Sequence, residues 1–243
     1  LRAGIATCDI TPTQPVMLAG YASRKELSQG VHDPLSARVV AFENGGKRLV
    51  LVSTDLIGFY YGSVEIIRKA ILDATQLKPS ELFLSAIHTH SGPWVNFDPQ
   101  KGSTNNVEYS KALQGKLVET VRAALNGLAP AQIGVGLGAS PVGSNRRLPG
   151  RDKAGNPTIL LNRNPSVMTD REVQVLKLTR AGTNDLAGVV FAYATHSTSL
   201  GAKNLIVSGD VHGLAEQFLE KYLGRGVVAA GFAGASGDID PWF

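Results

Sequence analysis

Two apolar runs meet across a glycine turn, and this pairing constrains the chain more than any other feature. Residues 36 to 43 (Ser-Ala-Arg-Val-Val-Ala-Phe-Glu) and 47 to 54 (Lys-Arg-Leu-Val-Leu-Val-Ser-Thr) flank Asn44-Gly45-Gly46. Glycine tolerates positive φ, so the three residues suit a tight hairpin and the runs read as two antiparallel strands. Elsewhere strands and helices alternate. Ser63 to Leu77 places Val64, Ile67, Ala70, Ile71 and Ala74 at helical spacing, with Pro79 as its stop. Residues 81 to 87 form a short apolar run suited to a buried strand. A second helix is expected from Val107 to Leu125, closed by Asn126-Gly127. Strands follow at 131–137, 172–179 and 186–194, the last two separated by a turn at Ala181 to Asp185. A third helix, Val211 to Leu223, would bury Val211, Leu214, Ala215, Phe218, Leu219 and Tyr222, with Asp210 as its N-cap and Gly224 at its end. A last strand is expected at 226–232. Alternation interrupted by hairpins predicts an α/β fold with mixed β-sheets flanked by helices, in one domain spanning residues 1–243.

Composition narrows the function classes. The 243 residues are 43% hydrophobic and 18% charged, and no apolar run approaches the roughly 20 residues that cross a bilayer. The net charge of +4 is scattered, its tightest cluster being Arg146, Arg147, Arg151 and Lys153, so no nucleic-acid partner is expected. The single cysteine, Cys8, excludes an internal disulfide framework and a thiolate metal cluster. Any metal would therefore be held by histidine and oxygen ligands. The chain starts at Leu1 without an initiator Met, and both ends are read as cut. A removed signal peptide would give a secreted or periplasmic location.

Three of the five histidines share one context. His88, His90 and His196 each follow a β-like apolar run and precede Ser or Thr and small residues. In an extended segment residues i and i+2 point the same way, so His88 and His90 could aim at one point, with His196 joining from a neighbouring strand. Neutral imidazole is a favoured ligand of Zn²⁺, which lowers the pKa of bound water to about 7. The alternative is that these histidines only cap strand ends through hydrogen bonds to loop backbone.

The ordered motifs Gly4-Ile5-Ala6 with Asp9-Ile10-Thr11-Pro12, Gly20-Tyr21-Ala22, Ser53-Thr54-Asp55-Leu56, His88-Thr89-His90-Ser91-Gly92-Pro93, Ser144-Asn145-Arg146, Thr195-His196-Ser197-Thr198-Ser199, Val207-Ser208-Gly209-Asp210 and Gly234 to Pro241 run along the whole chain. In these the sequence resembles the neutral/alkaline ceramidases, amidases of sphingolipids. The resemblance implies a zinc-dependent hydrolase that cleaves a linear N-acyl amide, in a ceramide-like lipid or a related molecule, by zinc-activated water. It implies His88 and His196 as zinc ligands, His90 beside the metal water, and Arg146 holding the substrate head or a developing oxyanion. The partner is then a lipid or small-molecule amide, with peripheral contact to a membrane surface.

Two departures accompany the resemblance. Where the family carries a serine assigned to the active site, this chain reads Gly237-Asp238-Ile239-Asp240-Pro241. Asp240 cannot serve as an alcohol nucleophile, but its carboxylate could accept a proton or bind a cationic or hydroxylated part of a substrate. The family's remaining zinc ligands, a glutamate and a tyrosine, have no counterpart before Phe243, so the C-terminal part of the domain is expected to be missing.

Other readings rest on particular residues. Gly209-Asp210-Val211-His212-Gly213, with Gly237-Asp238, looks like a metallophosphoesterase motif, and His212 with Glu216 has the i, i+4 spacing of a helical metal pair. Asp55 is a candidate partner for the outer nitrogen of a ligating imidazole. His32 reads as a loop residue. A non-catalytic binding module of hydrolase ancestry is the non-enzymatic alternative, and metal content separates it from the hydrolase.

Overall fold

The computed structural model describes residues 1–241 apart from Tyr61, Asn184 and Arg225. Asn184, within the expected turn at 181–185, thus lies outside the described residues. The hairpin forms as its sequence requires. Strands Ser36–Asn44 and Lys47–Thr54 pair antiparallel down to Asn44↔Lys47, and the turn residues Gly45 and Gly46 both take positive φ, 56° and 75°. A side chain at either position would be strained in this primed turn.

These two strands sit within a mixed eight-stranded sheet. Its strands in chain order are β1 (Arg2–Asp9), β2 (Ser36–Asn44), β3 (Lys47–Thr54), β4 (Leu82–Leu84), β5 (Ala129–Ala139), β6 (Glu172–Arg180), β7 (Leu186–Tyr193) and β8 (Val228–Ala233). The spatial order is β8-β7-β6-β5-β1-β2-β3-β4. β3–β4 and β7–β8 pair parallel; the other neighbours pair antiparallel. Only Arg2↔Pro130 and Ala3↔Ala129 join β1 to β5, so the sheet divides into two halves at this seam.

The halves pack on each other. Along β2 the side chains alternate between two cores, as a period of two demands. Val39 and Ala41 join the core beneath the helices, while Val40 and Phe42 meet Leu178, Val190 and Ala230 of the other half. Ser53 Oγ donates to the Gly231 carbonyl at 2.5 Å across this contact, and the rings of Phe83 and Phe232 lie 6.0 Å apart.

Helix α1 (Ser63–Thr75) carries the chain from β3 to β4, and α3 (Asp210–Leu223) lies between β7 and β8. The long helix α2 (Thr104–Asn126) starts at Ser103, whose hydroxyl accepts from Asn106 N, and stops at Gly127. It buries Leu113, Leu117 and Val121 against the sheet. No described helix is long and apolar enough to cross a membrane.

Helix α3 departs from its expected orientation. Its buried residues are Asp210, His212, Gly213 and Glu216, while Leu214, Phe218 and Tyr222 of the apolar stripe are exposed. The cause is a buried polar network: Arg38 of β2 is 1% exposed and draws Glu216 and Glu220 inward, at 2.7 and 2.8 Å. A buried guanidinium left without carboxylates costs more than exposing apolar surface on one helix. Gly209, not Asp210, occupies the N-cap.

Three short pairings complete the frame. Gly30–Val31 lies beside Ile206–Val207, Gly143–Asn145 pairs with Ile239–Pro241, and Arg147–Arg151 forms a hairpin with Pro157–Leu161. Sequence patterning does not reveal β1 or these pairs, because each is short or rich in glycine and polar residues.

Candidate metal centre

The carboxyl ends of the two parallel pairs converge, and the loops leaving them carry the site. Open α/β sheets commonly place ligands at this position, because the loops there belong to different crossovers. From β4 the chain continues beside β3, with Ser85 N bonded to Val52 O and Ile87 N to Thr54 O. It then turns at His88, whose φ is 63°. A non-glycine residue in this region is strained and persists only where its surroundings hold it. The convergence of His88 and His90 therefore does not follow from extended alternation, as the sequence implied. It follows from a left-handed residue that redirects the backbone. Thr89 then bridges to Ser197, and His90 N bonds to Ser197 O, which joins the loop to the segment after β7.

His88, His90 and His196 form a triangle. Their ring centroids are 5.0 Å (88–90), 4.8 Å (88–196) and 5.5 Å (90–196) apart, and one nitrogen from each lies within 4.8 Å of the others. This is the His/Cys/Asp/Glu group fit to hold a metal among the described residues.

The three imidazoles differ in what their outer nitrogens do. His88 Nδ1 lies 2.8 Å from Ile57 O, and His196 Nδ1 lies 2.6 Å from Ser236 O. A carbonyl can only accept, so both Nδ1 atoms carry the proton and both Nε2 atoms present a lone pair. Carbonyls that orient the outer N–H are the usual support of a metal ligand. His90 Nδ1 is buried without a hydrogen-bond partner, and its Nε2 lies 3.4 Å from His88 Nε2. Burial, then the neighbouring His88 and His196, then Arg146 and Arg24 hold the His90 pKa down to about 3. Burial and Arg146 also lower that of His196. The donor set of His88 and His196 thus fits a zinc ion chemically.

Arg146 and Asp240 border this triangle. Arg146 Nη2 lies 3.1 Å from His196 Nε2, Nη1 donates to Asp240 Oδ1 at 3.0 Å, and Nε and Nη2 donate to Gly237 O at 3.1 and 3.0 Å. Asp240 Oδ1 also accepts from Thr198 Oγ1 at 3.1 Å. The antiparallel pairing of residues 143–145 with 239–241 sets this geometry, reinforced by Arg146 N bonding to Asp238 O at 2.8 Å.

Other candidates lie apart from the triangle. His212 is 1% exposed and both its nitrogens are engaged, Nδ1 with Ser197 Oγ at 2.9 Å and Nε2 with Tyr193 O at 3.1 Å. Asp210 accepts from the backbone of Ser199, Leu200 and Val211, and Asp238 from Asn145. They belong to no group of three metal-ligating side chains among the described residues, and Glu216 contacts Arg38 at 2.7 Å. Asp55 contacts no imidazole; it accepts from Ser36 N at 2.7 Å and approaches Arg38 at 3.4 Å. His32 is exposed and touches Asp33 at 2.7 Å. Cys8 is free.

Sequence reasoning gave no role to Tyr21 and Arg24. Tyr21 packs edge-on against His90 with centroids 5.0 Å apart, and the Arg24 guanidinium lies 4.7 Å from the Tyr21 centroid. The Gly20-Tyr21-Ala22 motif was the available signal, but nothing in it reveals a histidine contact 69 residues away.

The comparisons with known proteins place the chain in a family. The family described as neutral/alkaline non-lysosomal ceramidase, N-terminal, matches residues 1–242. A neutral ceramidase of Pseudomonas aeruginosa is 29% identical over 99% of this chain and 37% of its own length. Neutral ceramidase 1 of Arabidopsis thaliana is 28% identical over 90% of this chain and 29% of its own. The solved neutral ceramidase structure from Pseudomonas aeruginosa superposes with a TM-score of 0.79 at 25% identity, covering 99% of this chain and 39% of that one. The chain spans about a third of the length of these relatives. With its fold and histidine cluster, the chain belongs to the neutral/alkaline non-lysosomal ceramidase family and corresponds to the N-terminal part.

Proposed function

We propose that the protein containing this chain is a zinc-dependent hydrolase of a linear N-acyl amide, in a ceramide-like lipid or a related molecule, and that this chain supplies its histidine ligands. The observation that carries the reading is the difference between the three outer nitrogens. His88 and His196 have theirs anchored on carbonyls, which turns both Nε2 lone pairs into the site, where that of His196 accepts from Arg146 Nη2. When bound, zinc supplies Lewis acidity and a water acidic enough to attack at neutral pH. His90, with an unpartnered Nδ1, keeps its proton on Nε2 and donates a hydrogen bond into the site.

Arg146 is held in a fixed fork by Gly237, Asp240 and His196, and its remaining N–H on Nη1 suits a carbonyl oxygen that gains negative charge. Asp240 holds that fork through Nη1 and offers a carboxylate to a cationic or hydroxylated part of the substrate. A lipid amide as substrate also brings peripheral contact with a membrane surface and a secreted or periplasmic location into the proposal.

The test is elemental analysis with an N-acyl hydrolysis assay on the full-length protein. Stoichiometric zinc is expected, lost together with activity in folded His88→Ala and His196→Ala variants. In His90→Ala the zinc stays and the rate falls. A folded protein that holds no transition metal and cleaves no amide sinks the reading.

A further inference from the structure

We infer that the segment Ala19–Arg24 is a clamp that seats His90 and fixes its proton on Nε2, with Arg24 and Tyr21 as positioning residues. This rests on the proposed reading that His90 acts as a donor beside the metal.

Gly20 makes the first contact. Its φ is 100°, and a Cβ there would stand 2.5 Å from Cγ and Nδ1 of His90. Only glycine lets this backbone lie so close to the ring, and the close approach keeps the Nδ1 side dry. The buried Nδ1 accordingly has no hydrogen-bond partner. A neutral imidazole has one N–H: on Nδ1 it would be buried without an acceptor, whereas on Nε2 it faces the lone pair of His88 Nε2 at 3.4 Å. The seat therefore biases the proton to Nε2 by about tenfold or more.

Arg24 locks the seat. The residue is 6% exposed, yet no carboxylate lies within ion-pair distance of it among the described residues. Its donors go to carbonyls on three segments: Ala19 at 2.9 Å, Gly201 at 2.9 Å, Ala202 at 3.2 Å, and His90 itself. One cation thus ties the clamp to the histidine loop and to the loop after His196. Tyr21 fills the space between them, its ring against His90 at 5.0 Å and near the Arg24 guanidinium at 4.7 Å. A buried cation held only by carbonyls adds little favourable energy as an ion. Its geometry is what it contributes: loops that would otherwise move independently share one fixed point.

The test uses the full-length protein, selectively labelled with ¹⁵N-histidine, with metal present and after chelation. Ring nitrogen shifts report the tautomer, elemental analysis reports zinc, and kinetics separate kcat from KM. Wild type should show His90 as Nε2–H in the chelated protein. Arg24→Met should keep zinc, lose about 10²-fold in kcat with little change in KM, and mix the His90 tautomers. Arg24→Lys should recover part of the loss. Tyr21→Phe should stay within about twofold of wild type, since only the ring touches His90, whereas Tyr21→Ala should fall between wild type and Arg24→Met. Should Arg24→Met fail to fold, Tyr21→Ala carries the same comparison. The clamp is refuted by a wild-type His90 that is Nδ1–H, by an unchanged kcat, or by zinc lost in step with kcat. A wild type without zinc or amidase activity refutes the functional proposal instead, and the tautomer of the chelated protein still decides the clamp.

Discussion

Arg146 Nη2 sits 3.1 Å from Nε2 of His196, the nitrogen that the anchoring of Nδ1 on Ser236 O leaves free for a metal. The guanidinium thus occupies the side of the imidazole where a cation would bind, and a zinc ion held there would compete with Arg146 for that nitrogen. Removing the arginine should leave zinc bound at least as tightly while catalysis falls about 10²- to 10³-fold, the loss typical of one oxyanion donor. Arg146→Ala with unchanged kcat, or with its zinc gone, contradicts the assigned role; metal analysis and steady-state kinetics read both.

The pairing of Arg146 with Asp240 at 3.0 Å makes a second prediction. Asp240→Asn keeps an oxygen for Arg146 and Thr198 but removes the charge that offsets the guanidinium. The variant should lose selectivity for amides with a cationic or hydroxylated group near the scissile bond and gain on anionic ones, by about tenfold in relative kcat/KM. Equal ratios of kcat/KM across such a substrate pair would show that Asp240 does not face the substrate.

A backbone contact far from the site sets a third expectation. A Cβ on Gly4 of β1 would lie 2.0 Å from Ala124 O and 2.9 Å from Gly127 C and Leu128 N, all backbone at the end of α2. None of these can rotate away, so Gly4→Ala should destabilise the fold by about 1–3 kcal/mol or more. Gly237, with open space around its Cβ, should accept alanine within about 0.5 kcal/mol. Chemical denaturation of both variants checks the contrast.

What the sequence made legible follows from how locally each feature is encoded. The β2–β3 hairpin was visible because its turn and alternation lie within nineteen residues, 36 to 54. The histidines could be picked out because their surroundings repeat, and the fold class could be read because strand and helix patterns alternate along the chain. Spacing offered all three histidines to a metal, and the resemblance singled out His88 and His196; the feature that sets these two apart from His90 lies in carbonyls of Ile57 and Ser236, which any residue supplies. The face of α3 was misread for a related reason. Its stripe of Leu214, Phe218 and Tyr222 is locally apolar, but Arg38, 178 residues before Glu216, decides which side turns inward. The same network claimed Asp55, which sequence position alone had offered to an imidazole.

That network gives the last prediction. Arg38, Asp55 and Glu216 are all nearly inaccessible, and Arg38 Nη1 reaches Glu216 at 2.7 Å and Asp55 at 3.4 Å. One guanidinium cannot neutralise two buried carboxylates and Glu220 as well. Burial, then the Asp55 charge, push the Glu216 pKa well up, so the folded state holds the Glu216 proton to a higher pH than the unfolded chain does. Arg38→Met strands the carboxylates and should cost about 3–5 kcal/mol. Glu216→Gln mimics the protonated acid and should cost about 1 kcal/mol at low pH. The sign of the pH dependence follows. The folded state holds a proton that the unfolded state releases near pH 4.3, so this stabilisation is complete below that pH and is lost as pH rises toward the raised pKa of Glu216. Glutamine has no proton to lose. Its stability relative to wild type should therefore improve from pH 5 to pH 8 in urea titrations, and a difference that is flat or moves the other way would mean that Glu216 is ionised in the folded protein.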